Sequence, residues 1–277
     1  PATAPFNDSN HAPAYVTGCV KGSCTGKGTV ASERAIARRS ESQFFTGPLR
    51  APNQLQNTFA HESFMDEIAA HVKADPVAYR LRHLRDPRLI DVVNAAAKAA
   101  NWQPSTSPRP STRRSGVVSG RGFACVGMEA GPASNGWIAM VADVDVNQDT
   151  GVVVTRRLFI AEDAGPISNP NGLRNQIEGA ALQGMSRALS EEVTWDAEKI
   201  TSVDWRSYPI LSLGFEMPAI EVVLIDRPGE NATGAGEIGS APIAAAIGNA
   251  IFNATGMRMR QLPFTPARVK AAIARRT

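Results

Sequence analysis

Apolar residues recur at three- and four-residue spacing in the first hundred positions, alternate strictly with polar ones after residue 120, and later return to helical spacing. Residues 1–31, rich in Gly, Ser, Thr, Asn and Pro, read as loop with one short strand at 14–17. Phe64, Ile68 and Val72 fall four apart within 59–72, which predicts a helix with that stripe turned inward. Asp75 before Pro76, and Asp86 before Pro87, are capping residues followed by first-turn prolines, and they open helices over 77–84 and 89–100. Residues 137–146 and 151–160 alternate around the turn 147–151, the pattern of a hairpin. A helix over 173–191 follows, its Gly179, Ala180, Ala181 and Gly184 small enough for close packing, then a strand over 219–225. The last element is a short basic helix over 268–275. The class is therefore α+β, mixed sheets packed with helices. Residues 103–120 are rich in Pro and Ser and divide the chain as a linker between segments 1–102 and 121–277.

The stretch 232–251 stands apart from this pattern. Gly234, Gly236 and Gly239 surround a single carboxylate, Glu237, and from Pro242 the residues Ile243, Ala246, Ile247, Ala250 and Ile251 fall at helical spacing. Glu237 is thus expected on a tight loop ahead of a buried helix. A carboxylate pressed there would lose hydration and become a usable base near neutral pH. The plainer alternative is that Glu237 caps backbone amides or pairs with an arginine.

Composition narrows the rest. Hydrophobic residues make up 43% and charged ones 20%, the formal net charge is only +3, and no nucleic-acid partner is implied. No apolar run reaches the roughly 18 residues of a membrane span. Cys19, Cys24 and Cys125 are too few for a four-ligand metal or iron–sulfur site, while a loop disulfide and free thiols both remain open for the first two. His61, His71 and His83 form no compact metal motif, and no side chain is expected to ligate a metal directly.

The order of motifs resembles a known family. Pro48-Leu-Arg-Ala-Pro-Asn is followed by Asn57-Thr-Phe-Ala-His-Glu-Ser-Phe-Met-Asp-Glu and Asp75-Pro-Val-Ala-Tyr-Arg. Asp163-Ala-Gly-Pro-Ile-Ser-Asn-Pro, Asn175-Gln-Ile-Glu-Gly and Gly234-Ala-Gly-Glu-Ile-Gly-Ser-Ala-Pro complete the set. Together they are similar to the molybdenum-cofactor subunit of the xanthine dehydrogenase/aldehyde oxidase superfamily, in the isoquinoline 1-oxidoreductase and nicotinate dehydrogenase branch, from about residue 45 onward. The resemblance implies cofactor contacts at Leu49, Arg50 and Ala51, a pterin hydrogen bond from Gln176, and Gly236 before the general base Glu237. It implies an enzyme that oxidises an aldehyde or hydroxylates an N-heteroaromatic carbon with oxygen from water. Electrons would leave through molybdenum-molybdopterin, in its cytosine dinucleotide form, to 2Fe-2S clusters on another subunit.

Two family loops, Gly-Gly-Phe-Gly and Gly-Gln-Gly, do not occur here, and the nearest text, Gly120-Arg-Gly-Phe-Ala, reads as a strand. The cofactor would then be shared with a chain carrying the remaining loops, whether a separate product or the other half of a cut precursor. The branch also implies periplasmic location and a cytochrome c subunit as a further partner, with a cytoplasmic location as the alternative. Ala51-Pro52 stands where an aromatic would stack on a planar substrate, so the substrate stays open. The rival reading is a non-catalytic assembly subunit that completes a partner's pocket.

Overall fold

The computed structural model describes residues 19–20, 23–24, 29, 49–52, 54–110, 115–128, 136–212 and 217–275. The strand expected at 14–17 lies outside them. Two short strands, β1 (Cys19–Val20) and β2 (Ser23–Cys24), pair antiparallel with Cys19 opposite Cys24 in register.

The centre is a four-stranded sheet of β3 (Val117–Met128), β4 (Gly136–Asn147), β5 (Val153–Asp163) and β6 (Ala219–Leu224), in that spatial order. The first three run antiparallel and β6 is parallel to β5, so the sheet is mixed as expected. A parallel partner needs a crossover, and α4 (Pro170–Leu189) lies within it. Strand β3 starts at Val117, inside the proline- and serine-rich stretch.

Alternation sends the strand residues to two cores. Phe123, Trp137, Ala139, Val141 and Phe159 pack with Leu89, Val92, Val93 and Ala96 of α3 (Pro87–Ala99). Ala124, Ile138, Met140, Leu158 and Ile160 pack with Ile177 and Ala181 of α4 and with α5 (Ile243–Thr255). Helix α5 lies almost directly on β3. A Cβ at Gly122 would meet the Ala246 carbonyl oxygen at 2.2 Å, and one at Gly120 would meet that of Ala250 at 2.2 Å. Only glycine permits that approach.

Helix α1 (Gln54–His71) begins five residues earlier than its apolar spacing suggests, and its inward face differs from the expected stripe. Phe64 and Val72 are exposed, at 60% and 51%, while Glu62, Ser63, Met65, Asp66 and Ala69 are buried. The reason is a buried ionic network. Arg80 of α2 (Pro76–His83) donates from Nε to Glu62 Oε2 at 2.8 Å, and Arg258 donates from Nη2 to Asp66 Oδ2 at 2.9 Å. Arg258 also donates to Asn249 Oδ1 of α5 at 2.5 Å, and Asn249 donates to the Phe123 carbonyl at 2.8 Å. Polar partners rather than apolar spacing therefore orient α1. Burial pushes the Asp66 carboxyl up, against the pull of Arg80 and Arg258.

The capping residues act as read: Asp75 accepts from Ala78 N and Asp86 from Arg88 N. Asp75 Oδ2 also accepts from Trp102 Nε1 at 2.9 Å and Ser105 N at 2.8 Å, which fastens the segment after α3. Helix α6 (Pro266–Ala274) closes the described chain. No helix among the described residues is long and apolar enough to cross a membrane.

Candidate functional site

Three stretches far apart in sequence meet beyond one end of the sheet: residues 49–52, the first half of α4, and the loop 231–237. Each is set there by local chemistry. Ala51 is buried and takes φ 59°, a left-handed angle that turns the chain ahead of α1. Its carbonyl accepts from Gln54 N at 3.1 Å, and the Arg50 carbonyl accepts from Arg187 Nη1 of α4 at 2.7 Å. Asn169 caps α4 by accepting from Gly172 N, ahead of Pro170, so the helix begins three residues before the expected 173. The loop 231–237 crosses the ends of β4 and β5: Thr233 N donates to the Ala164 carbonyl at 2.9 Å, and a Cβ at Gly165 would meet the Asn231 carbonyl oxygen at 2.5 Å.

Arg50 ties the three together. Its Nε donates to the Gly236 carbonyl at 2.5 Å, while Nη2 and Nη1 make longer contacts of 3.4 Å with the Gln176 carbonyl and Gln183 Oε1. Gln176 and Gly236 are neighbours as well, since a Cβ at Gly236 would stand 3.5 Å from Gln176 Nε2. Burial and then Arg187 lower the Arg50 pKa, and Glu237 and Glu162 act against them. A guanidinium lowered in this way still remains a cation. Arg50, Ala51, Gln176, Gly236 and Glu237 thus lie close together. Leu49, 62% exposed, lies on the outer side.

Glu237 departs from expectation in its burial. It is half-buried rather than enclosed, and the fully buried run of the chain starts only at Ile238, in the 3₁₀ turn Ile238–Ser240 that leads to α5. Nor is it a cap: its carboxylate accepts no capping bond, and only its main-chain oxygen receives Ser240 N and Oγ, at 3.1 and 2.9 Å. That turn is pressed against α4 through two glycines. A Cβ at Gly184 would meet Ile243 Cγ2 at 2.3 Å, and one at Gly239 would meet Ala180 Cβ at 2.7 Å. Gly179, by contrast, has open space around it.

The deeply buried acid of the region is Glu162, which sequence reading missed. Its signal was its place on the Leu158–Ile160 face of β5, where alternation demands an apolar residue. Its neighbour Asp163 points to the other face and is held by Arg88 and Arg227.

These residues suit a hydrogen-bonding, anionic group. A half-buried cation, an exposed amide at Gln176 and a close backbone at Gly236 converge, and the Thr233 hydroxyl oxygen is buried without a partner. Among the described residues no cluster of three His, Cys, Asp or Glu could hold a metal ion.

Sequence comparison agrees with that chemistry. The molybdopterin cofactor-binding domain family matches residues 61–214, more than half of the chain, and the chain belongs to it. Gln176 lies within that stretch, and Arg50 and Glu237 flank it. A nicotinate dehydrogenase subunit of Pseudomonas putida is 46% identical over 228 residues, 81% of this chain and 19% of that protein. An isoquinoline 1-oxidoreductase subunit of Brevundimonas diminuta is 33% identical over 220 residues, 79% of this chain and 26% of that protein. The chain therefore spans about a fifth to a quarter of these relatives' length. The aldehyde oxidoreductase of Desulfovibrio gigas shares the fold, with a TM-score of 0.65 at 16% identity over 81% of this chain and 41% of that one.

Proposed function

We propose that this chain forms part of the active site of a molybdenum hydroxylase acting on an aldehyde or an N-heteroaromatic carbon. The observation that carries this reading is the bond from Arg50 to the Gly236 carbonyl, which brings the arginine turn, the Gln176 helix and the Glu237 loop to one place. The molybdenum of the cofactor, when bound, would supply the transferable oxygen and accept the two electrons. Gln176 and the backbone at Leu49, Arg50, Ala51 and Gly236 would hold it. Glu237 is the proton acceptor, only half-buried and so within reach of a substrate entering from solvent. Arg50 is a fixed cation for charge that develops beside it, and its attachment to Gly236 O spares any rearrangement during the reaction.

The reading extends to what this chain does not contain. The cofactor is the cytosine dinucleotide form and is shared with a chain bearing the Gly-Gln-Gly loop. Electrons pass to 2Fe-2S clusters on another subunit and on to a cytochrome c, in the periplasm. The nicotinate and isoquinoline relatives are each named as one subunit of an enzyme, which supports partner chains.

Glu237→Gln in the purified complex tests the assignment. Turnover of nicotinate or an aromatic aldehyde should fall by about 10³-fold or more, with bound molybdenum unchanged. Retained turnover would remove Glu237 from the chemistry. The incomplete burial of Glu237 favours one alternative, an assembly role that only completes a partner's pocket. Metal analysis separates the two, since a complex without molybdenum supports the assembly role.

A further inference from the structure

Glu162 lies at the end of β5 with 1% of its surface accessible, and neither carboxyl oxygen has a hydrogen-bond partner among the described residues. Among the described residues the other buried acids, Glu62, Asp66, Asp86 and Asp163, have partners; Asp163, next in sequence, receives Arg88 Nε and Arg227 Nε, both at 2.9 Å. Glu162 sits on the opposite sheet face, across from Ile138 of β4 and beside Leu224 of β6. Helix α4 meets this face with Ile177, and the turn after Glu237 meets it with Ile238. The charged groups that bear on Glu162 are Arg50, from the 49–52 loop, and Asp163 on its own strand. Arg174 of α4 is occupied elsewhere, on the Val222 carbonyl at 2.6 Å, and Arg187 is on the Arg50 carbonyl. Glu237 reaches the group through Arg50, on which both carboxylates act.

Both acids therefore act on one cation, Glu237 from the half-buried loop and Glu162 from the sealed strand. A carboxylate with no donor in an apolar enclosure cannot keep its charge at modest cost, so it holds its proton instead. We propose that Glu162 is a positioning residue for the proposed molybdenum hydroxylase site: protonated, it leaves Arg50 to Gly236 and Glu237, and on losing its proton it draws the Arg50 guanidinium toward the sheet. Deprotonation changes the charge of the Arg50–Glu237–Glu162 set by one unit without any group on the surface altering. It would weaken the hold on the Gly236 loop and remove the cation's support from Glu237 and from any anionic ligand. Burial, opposed by Arg50 and assisted by Asp163, carries the Glu162 pKa from 4.5 to about 8, so the change would fall in the mildly alkaline range.

The proposal rests on the functional reading above, and its test keeps the two apart. Infrared difference spectra of the purified complex, titrated from acid to alkaline pH, read the proton directly and need no turnover. A protonated-carboxyl band should disappear with a midpoint near pH 8, be absent in Glu162→Gln, and move to higher pH in Arg50→Gln, which removes the opposing cation. With nicotinate or an aromatic aldehyde, the alkaline fall of kcat/KM in the wild type should vanish or shift by about one pH unit or more in Glu162→Gln, whose amide cannot ionise. If Glu162→Gln does not fold, the wild-type band and its shift in Arg50→Gln decide alone. A missing band, a midpoint indifferent to Arg50, or an unchanged alkaline limb in Glu162→Gln would overturn the proposal. A complex with the titrating band but no molybdenum or turnover would overturn the hydroxylase reading instead, and with it the positioning role.

Discussion

Arg50 and Gly236 are joined side chain to backbone across 186 residues of sequence, and Gly236 is the residue before Glu237. The acid's loop is thus tied to a cation far away in sequence, in addition to its bonds to Ala164 and Ser240. Arg50→Lys should expose this dependence. A lysine keeps the charge but not the planar fork that serves Gly236, Gln176 and Gln183 together. We expect kcat/KM to fall about 10²-fold with molybdenum content retained, measured by initial rates and metal analysis of the complex.

The seating of α5 on β3 gives a steric prediction. Gly122→Ala sets a methyl 2.2 Å from the backbone at Ala246 and Ala250, and neither strand nor helix can yield without separating. It should destabilise by about 3 kcal/mol or more. Gly179→Ala, on the open side of α4, should instead stabilise by roughly 0.5–1 kcal/mol. Thermal unfolding of the two variants in parallel would read both signs.

Removing one charge from the buried network should be costly. Arg80→Met leaves Glu62 and Asp66 without the guanidinium that answers both, the first at 2.8 Å and the second at 3.6 Å. The expected loss is about 3–5 kcal/mol in urea denaturation, with expression reduced accordingly. Arg260→Gln, which removes a 71% exposed partner of Glu67, should change stability by less than about 1 kcal/mol.

Asp163 gives a pH dependence of known sign. Burial alone would raise its pKa, but the bonds from Arg88, Gly165 N and Arg227 outweigh it and leave the group below 3.8. A depressed carboxylate contributes stability that is present above its unfolded pKa and lost as pH falls through the folded one. Asp163→Asn should therefore cost stability at pH 7, and the gap to wild type should close below about pH 4. Unfolding midpoints from pH 7 down to pH 3 would check it; a gap independent of pH would show that shape rather than charge matters there.

Local rules made much of this protein readable without coordinates. A short polar residue before a proline can do little except cap, so Asp75 and Asp86 announced α2 and α3. Strict alternation around a glycine-bearing turn announced the β4–β5 hairpin, and the small apolar run from Ile243 announced α5. The motif order around Arg50, Gln176 and Glu237 pointed to a shared site because each motif is short, local and chemically distinctive. The face of α1 was hidden, since Glu62 and Asp66 look like solvent-facing charges until Arg80 and Arg258 arrive from elements outside it.

The sequence by itself determined the elements and their class, because caps, turns and periodicity act over a few residues. Tertiary structure alone decided how deep each acid lies. Solvation depends on everything packed around a group, and that packing comes from distant parts of the chain. Glu237, amid glycines and alanines, ends half-buried, whereas Glu162, one polar residue in an apolar strand, is enclosed by β4, β6 and α4.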